Sequence, residues 1–440
     1  MSTSGSANGE VAVIGGGIAG LSAAVFLADK GYRIKLYEAS PKLGGRAYSF
    51  FDKDKGRFFD NGQHLLAGWY TDTFSFLKLI GSYDMLEFQE RLRIDFLEKG
   101  RGMISLRSSG HKPPANLLAG LLRFEGFKKK DKLKLLNLRN IMKEEAGRDG
   151  QNAEDLLEAH GQSGNLRKYF WDPFILAVFN TEPHNVDANL LTDLLSRSMS
   201  DSKGFTLVLP GMDLNKVFIE PAERFLLERK CEIYKGTRIT GFEIDERMNY
   251  VIAGDSEKIG ADYFISALPF FGFSDVFGHR FGGGSEKLRT SSIVSVHLFL
   301  KHSIEGLPKD NLGMAGMIGT RTQWLFRKSD VHLSLVISGS DALGVTKMAN
   351  EEIAAMCISE LSSCIQGFDA GIVSGFRVIK EKRATFIPDP ESVKLRPLQR
   401  TEADNFFIAG DWTSTGLPST IEGAVRSAKI CARMIDENSK

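Results

Sequence analysis

The sequence predicts an α/β fold in which a Rossmann-type domain is interleaved with a mixed α+β second domain. Three observations carry this: the apolar run Val11–Ile14 ends in a glycine turn, a second such strand returns at Ala261–Pro269, and a third, Asn405–Asp411, closes on Gly-Asp. Strands of one parallel sheet so far apart in the chain leave room for another domain between them.

The first strand must turn sharply. Gly15, Gly17 and Gly20 let backbone N–H groups approach a pyrophosphate at a helix start, with Ile18 and Ala19 opening the helix. Leu21, Ala24, Val25, Leu27 and Ala28 make that helix apolar, and Gly31 stops it. Arg33–Glu38 is the second strand. Glu38 and Ala39 stand at its tip, where a carboxylate accepts from both ribose hydroxyls of an adenosine. A 2′-phosphate would meet like charge, so NADP is disfavoured. A second glycine turn, Leu43-Gly44-Gly45-Arg46, ends in a cation.

The cofactor domain is expected at 10–84, 205–272 and 381–440, and the substrate domain at 85–204 and 273–380. From Tyr70 to about residue 204 the chain reads as helical and irregular. Val217–Leu227 reads as a helix, and Cys231–Ile239, Gly241–Asp245 and Ala261–Pro269 as strand, hairpin and strand. Apolar strands around Ile293–Leu300 and His332–Ile337, with a helix near Asn350–Cys364, follow in the second domain. At the end, Gly410-Asp411-Trp412 leaves a buried strand, and Ser419-Thr420-Ile421-Glu422 opens a helix with a capping-box arrangement.

Composition excludes several classes. With 440 residues, 42% of them hydrophobic, the chain can bury two cores, and a net charge of +1 gives no field for nucleic acid. The four cysteines show no metal spacing and suit buried, reduced thiols in a cytosol, so no metal is expected. Residues 1–9 lack the apolar core of a signal peptide and read as a disordered tail.

Gly44-Gly45-Arg46, the Ala-Asp-x-x-Ile-x-Ala-x-Pro ending at Pro269 and Gly410-Asp411 resemble the flavin amine oxidase and carotenoid desaturase superfamily, of GR2-like fold. The resemblance implies noncovalent FAD. Arg46 would contact its pyrophosphate, the backbone of Ile239 its adenine, and Asp411 its ribityl hydroxyls. Backbone N–H groups of Thr420 and Ile421 would face the flavin, where a helix N-terminus favours the reduced anion. Gly62, Gln63 and His64 would pass the isoalloxazine.

Asp60-Asn-Gly-Gln-His64, together with Gly410-Asp-Trp-Thr-Ser-Thr-Gly-Leu-Pro-Ser-Thr-Ile-Glu-Gly-Ala424, is similar to the hydroxysqualene dehydroxylase family of hopanoid pathways. That family implies reductive dehydroxylation of an allylic polyprenoid alcohol, needing a proton donor, an apolar pocket and a hydride. His64 and Tyr70 are the candidate donors. Trp412, Trp69 and Trp171 offer π faces to developing positive charge, and Lys168–Phe179 a tunnel wall. No second glycine fingerprint follows a strand, so an external donor or reductase is expected to reduce the flavin.

Between Leu117 and Lys143, eight Lys and Arg stand against Glu125 and Asp131, with leucines between them. A basic amphipathic helix there would lie on the inner face of the cell membrane, giving a cytoplasmic, peripherally bound protein. Two other uses of the architecture compete with dehydroxylation. One is a desaturase or amine oxidase running the flavin oxidatively, and the other a prenyl-lipid escort protein without catalysis.

Overall fold

The computed structural model describes residues 8–53, 55–110, 115–143, 150–200, 204–308 and 311–439. Five parallel strands form the nucleotide sheet, in the order Glu232–Lys235, Arg33–Glu38, Glu10–Ile14, Tyr263–Ser266 and Phe406–Ile408. Its centre is Val11–Ile14 between Ile34–Tyr37 and Tyr263–Ser266, apolar because both faces are covered. The helix Ile18–Asp29 packs with the C-terminal helix Ile421–Asn438 in one core cluster, through residues such as Leu21, Val25, Val425 and Ala428. Of the expected tail, residues 1–7 lie outside the described residues, while Gly9 is tied in by its carbonyl accepting from Arg33 N–H at 3.0 Å.

A seven-stranded sheet makes the second layer. Thr290–Leu300 is flanked by Val373–Phe386 and His332–Ser338, all antiparallel, and Trp324–Ser329, Met314–Ile318, Arg93–Glu98 and Gly102–Arg107 follow. Val294, Val296 and Leu298 point to one face and pack with Ile353, Cys357 and Leu361 of the helix Asn350–Cys364. Ile293, Ser295 and His297 therefore take the other face.

Two expectations are corrected. The stretch after Tyr70 is not merely helical and irregular: Arg93–Glu98 and Gly102–Arg107 form a hairpin on this sheet, turning at Gly100 and Gly102, both at positive φ. The basic stretch is not one helix but Ala115–Arg123, Lys129–Lys134 and Leu138–Lys143, the last two joined by a 3-10 turn at Leu135–Asn137. Phe124 and Phe127 turn inward onto Tyr169, with ring centroids 5.6 and 6.5 Å away, and break the first from the second. All four cysteines are free and buried.

Candidate active site

The helix Ile18–Asp29 starts inside the protein. Ile18, Ala19 and Gly20 are buried, Gly17 is its N-cap, and among the described residues no side chain caps it. First-turn N–H groups left in this way are an anion site. Gly20 is required by packing, since a Cβ there would lie 1.8 Å from the Gly15 carbonyl oxygen. The second glycine turn locks against the first: Gly44 N–H donates to the Gly16 carbonyl at 2.8 Å, and a Cβ on Gly45 would sit 3.0 Å from Gly17 Cα.

Glu38 stands beside this cradle. Its two carboxylate oxygens accept from Gly16 N–H and Ser40 N–H, each at 2.7 Å, which orients the group and leaves further lone pairs open. Thr237 N–H donates to the Glu38 carbonyl at 2.9 Å, bringing the chain that leads to buried Ile239 to the same strand tip, where Ala39 is exposed. A buried, uncapped helix start between two glycine turns, with a carboxylate at the neighbouring tip, fits a dinucleotide pyrophosphate and its ribose.

Arg46 joins the chain's beginning to its end. It donates through Nη2 to Asp411 Oδ1 and through Nη1 to the Ala384 carbonyl at 2.8 Å, while Ser419 donates to Asp411 Oδ2. Burial raises the Asp411 carboxyl, but Arg46 and Ser419 outweigh it and hold the group below its ordinary range. Gly410 N–H is bound to Ser427 Oγ at 2.8 Å.

The C-terminal helix is capped differently from the expected box. Thr420 is the N-cap, accepting from Gly423 N–H at 3.1 Å, and Glu422 turns away. Its buried carboxylate accepts from Asp72 N–H, Thr73 N–H and Thr73 Oγ1 at 3.0, 2.9 and 2.7 Å, capping the helix Thr71–Leu79 instead. That choice satisfies the N-terminus of a neighbouring helix, which has no side-chain cap of its own. The N–H groups of Thr420 and Ile421 remain at the helix start.

The segment Gly62–His64 lies between the glycine-arginine turn and the seven-stranded sheet. Asn61 ties it to the glycine turn, donating through Nδ2 to the Arg46 carbonyl at 2.9 Å, and Lys328 Nζ on the second sheet reaches Gln63 Oε1 at 3.3 Å. His64 Nδ1 donates to the Gly62 carbonyl at 2.9 Å, so in the neutral ring Nε2 carries the lone pair. Burial lowers the His64 pKa, against the opposing pull of Asp60.

The remaining candidates are aromatic side chains packed into cores, of which Tyr70 also meets Thr420 at the start of the last helix. Tyr70 is buried beside Trp69, ring centroids 4.7 Å apart, and burial and then Glu422 raise its phenol. Trp412 packs on Phe273 at 5.2 Å and donates to the Leu268 carbonyl at 3.0 Å, within the core of the nucleotide domain. Trp171 donates to Gln162 Oε1 at 3.0 Å in the largest core, which also takes Tyr169, Phe170, Ile175 and Phe179 from the expected tunnel wall. Sequence reasoning missed Ser295, His297 and His332. The alternation Ser295-Val-His297-Leu within an apolar strand was the signal for the first two.

The family profile of flavin-containing amine oxidoreductases matches residues 18–436, and the chain belongs to that family. It is an FAD-dependent oxidoreductase. Among relatives, it is 28% identical over 427 residues to a hydroxysqualene dehydroxylase of Zymomonas mobilis, covering 96% of this chain and 97% of that one. It is 29% identical to the enzyme of the same name from Rhodopseudomonas palustris, covering 97% and 98%. A 15-cis-phytoene desaturase of Solanum lycopersicum is 24% identical, covering 97% of this chain and 77% of that one. In fold, an oxidoreductase of Methanosarcina mazei superposes with a TM-score of 0.74 at 16% identity, covering 96% and 99%. A putrescine oxidase triple mutant also gives 0.74 at 16%, covering 98% and 99%.

Proposed function

We propose that this enzyme carries out reductive dehydroxylation of hydroxysqualene to squalene. The supporting observation is a likeness to hydroxysqualene dehydroxylases that runs nearly end to end in both chains, and the motifs Asp60–His64 and Gly410–Ala424 resemble that family. In this assignment residues 10–84, 205–272 and 381–440 hold the cofactor, and 85–204 with 273–380 form the substrate domain.

FAD, once reduced by an external donor, supplies a hydride. Gly15, Gly17, Ile18, Ala19 and Gly20 bind its pyrophosphate together with Gly45 and Arg46, and Glu38 and Ala39 its adenosine ribose beside the backbone of Ile239. Gly410, Asp411, Thr420 and Ile421 bind the ribityl and flavin end, with Gly62 and Gln63 alongside. The allylic C–O bond breaks only as a proton reaches the oxygen, which then leaves as water. His64 is the donor: its Nδ1–H is held by Gly62, so Nε2 is the atom that takes up and releases the proton, and burial makes its protonated form a stronger acid. Tyr70, whose hydroxyl meets Thr420 at the start of the last helix, is a second and weaker acid, while Trp412 stays in the core.

A substrate of this kind resides in lipid, and the surface suits peripheral attachment at the cytoplasmic face. Leu133 and Leu136 are 69% and 61% exposed near exposed Lys128, Lys129 and Lys130, and no helix among the described residues is long and apolar enough to cross a membrane.

Anaerobic mixing of the reduced protein with hydroxysqualene tests the reaction. Return of oxidised-flavin absorption with formation of squalene is expected, and absence of both overturns the proposal. Bleaching of the oxidised protein by phytoene or an amine would assign the oxidative direction instead.

A further inference from the structure

One face of the seven-stranded sheet carries polar atoms that the protein leaves unsatisfied. Ser295 and His297 alternate on Thr290–Leu300, and the register Ser295–Val336–Trp324 puts Trp324 in the same row. Among the described residues, Ser295 Oγ, His297 Nε2 and Trp324 Nε1 are buried with no hydrogen-bond partner. Such atoms are uncommon in folded proteins, and three on one sheet face point to a ligand that completes them.

His297 is the best defined of the three. Its Nδ1 lies 3.0 Å from His332 Nε2, so one ring donates to the other and His297 Nε2 is left on the opposite edge. The rings of Phe59 and Phe299 enclose the pair, 5.0 Å from His297 and 5.1 Å from His332 respectively. Burial, reinforced by the neighbouring ring, lowers His297 to a pKa of about 3, and burial with Arg57 and Lys328 lowers His332 to about 4. Both rings are therefore neutral hydrogen-bonding groups at neutral pH.

His297 lines a pocket that also meets Phe58, Gln63, Met212, Lys328 and Ser334. Phe58 and Met212 are 50% and 47% exposed, an apolar lip, whereas His297 and Ser295 are 4% and 1% exposed. The two carboxylates of the lining are engaged by neighbouring groups: Asp60 accepts from Ser49 Oγ at 2.6 Å, and Asp213 from Lys216 N–H at 3.3 Å. Ser295 and His64 both adjoin this lining at Gly62, where an added Cβ would lie 3.9 Å from Ser295 Oγ and 4.0 Å from His64 Cε1.

We propose that Ser295 and His297 recognise the hydroxyl of a long apolar alcohol, whose hydrocarbon chain runs out past Phe58 and Met212. His297 Nε2 and Ser295 Oγ hydrogen-bond the alcohol oxygen on the side facing His64. His332 is a positioning residue that fixes the tautomer and orientation of His297. Resting on the dehydroxylation proposed above for the identity of the alcohol, the site deepens it by naming what separates substrate from product: squalene has no oxygen to offer this end of the pocket.

The test compares dissociation constants of hydroxysqualene and squalene for the oxidised, FAD-loaded protein, read from perturbation of the flavin spectrum, with turnover measured separately. The wild type is expected to bind the alcohol about tenfold more tightly. In His297→Phe the two constants should become equal through loss of alcohol affinity alone, and Ser295→Ala should lower the preference about threefold. Ser295→Ala removes one atom, so it carries the test even if His297→Phe fails to hold FAD, and His297→Gln should retain most of the preference. An unchanged ratio in Ser295→Ala, or a wild type without preference, overturns the assignment. A wild type that prefers the alcohol but does not reduce it supports the hydroxyl site and overturns the dehydroxylation.

Discussion

Arg46 and Asp411, 365 positions apart, share an ion pair in which Ser419 holds the second carboxylate oxygen. The contact fastens the glycine-arginine turn to the segment before the last helix, so one interaction sets the two ends of the proposed cofactor site. Arg46→Gln and Asp411→Asn are each expected to cost about 1–3 kcal/mol of apoprotein stability, discounted because Arg46 is partly exposed. A double-mutant cycle in urea should find the pair less than additive. Both variants should also lose FAD on gel filtration under conditions where the wild type keeps it.

Glu422 carries a different load. Glu422→Ala removes the acceptor for Asp72 N–H, Thr73 N–H and Thr73 Oγ1 at once. Urea unfolding should show a loss of about 2–3 kcal/mol. Glu422→Gln should recover only part of it, because both carboxylate oxygens accept and an amide nitrogen would confront a donor.

Acid should weaken the protein through its buried histidines. His297 and His332 have folded pKa values of about 3 and about 4, below the ordinary value of 6.5. From pH 6.5 down to about 4 the unfolded chain binds protons that the folded chain does not, so stability is full above 6.5 and falls with pH. Each histidine contributes about 1.4 kcal/mol per pH unit. His297→Phe should flatten that slope in denaturation measured at pH 7, 6 and 5, and an unchanged slope would refute the cause assigned to it.

For His64, the lowered pKa gives a signed rate expectation. Above that pKa the protonated fraction falls tenfold per pH unit, so reoxidation of the flavin by hydroxysqualene should slow as pH rises from 6 to 8. His64→Phe should keep FAD, react about 10²- to 10⁴-fold more slowly and lose this dependence in single-turnover stopped flow. Equal rates would remove His64 from the chemistry.

The exposed leucines offer a physical assay for attachment. Leu133→Glu with Leu136→Glu should abolish flotation with vesicles containing anionic lipid, while melting temperature stays within a degree or two, since neither side chain is buried. Retained flotation would move the contact elsewhere.

Much of the nucleotide domain was legible because its constraints are local. Gly20 and Gly45 have no room for a Cβ, and strands such as Val11–Ile14 are apolar on both faces. The hairpin from Arg93 to Arg107 was not, because charged residues at its ends obscure the alternation and its partner strand, Met314–Ile318, is far away in the chain. Ser419 to Glu422 spells a capping box, yet Glu422 caps the helix at Thr71, a preference set by tertiary contact that local spacing cannot express. The pairing of His297 with His332 likewise arises only when two distant strands come into register.

The parallel sheet draws its parts from widely separated stretches of the chain. Its edge strand Phe406–Ile408, the counter-ion of Arg46 and the helix Ile421–Asn438 all lie beyond residue 400. A truncation at that point would keep both glycine turns yet strip away the edge strand, the Asp411 carboxylate and the helix that packs on Ile18–Asp29, so the opening residues alone are expected not to retain FAD.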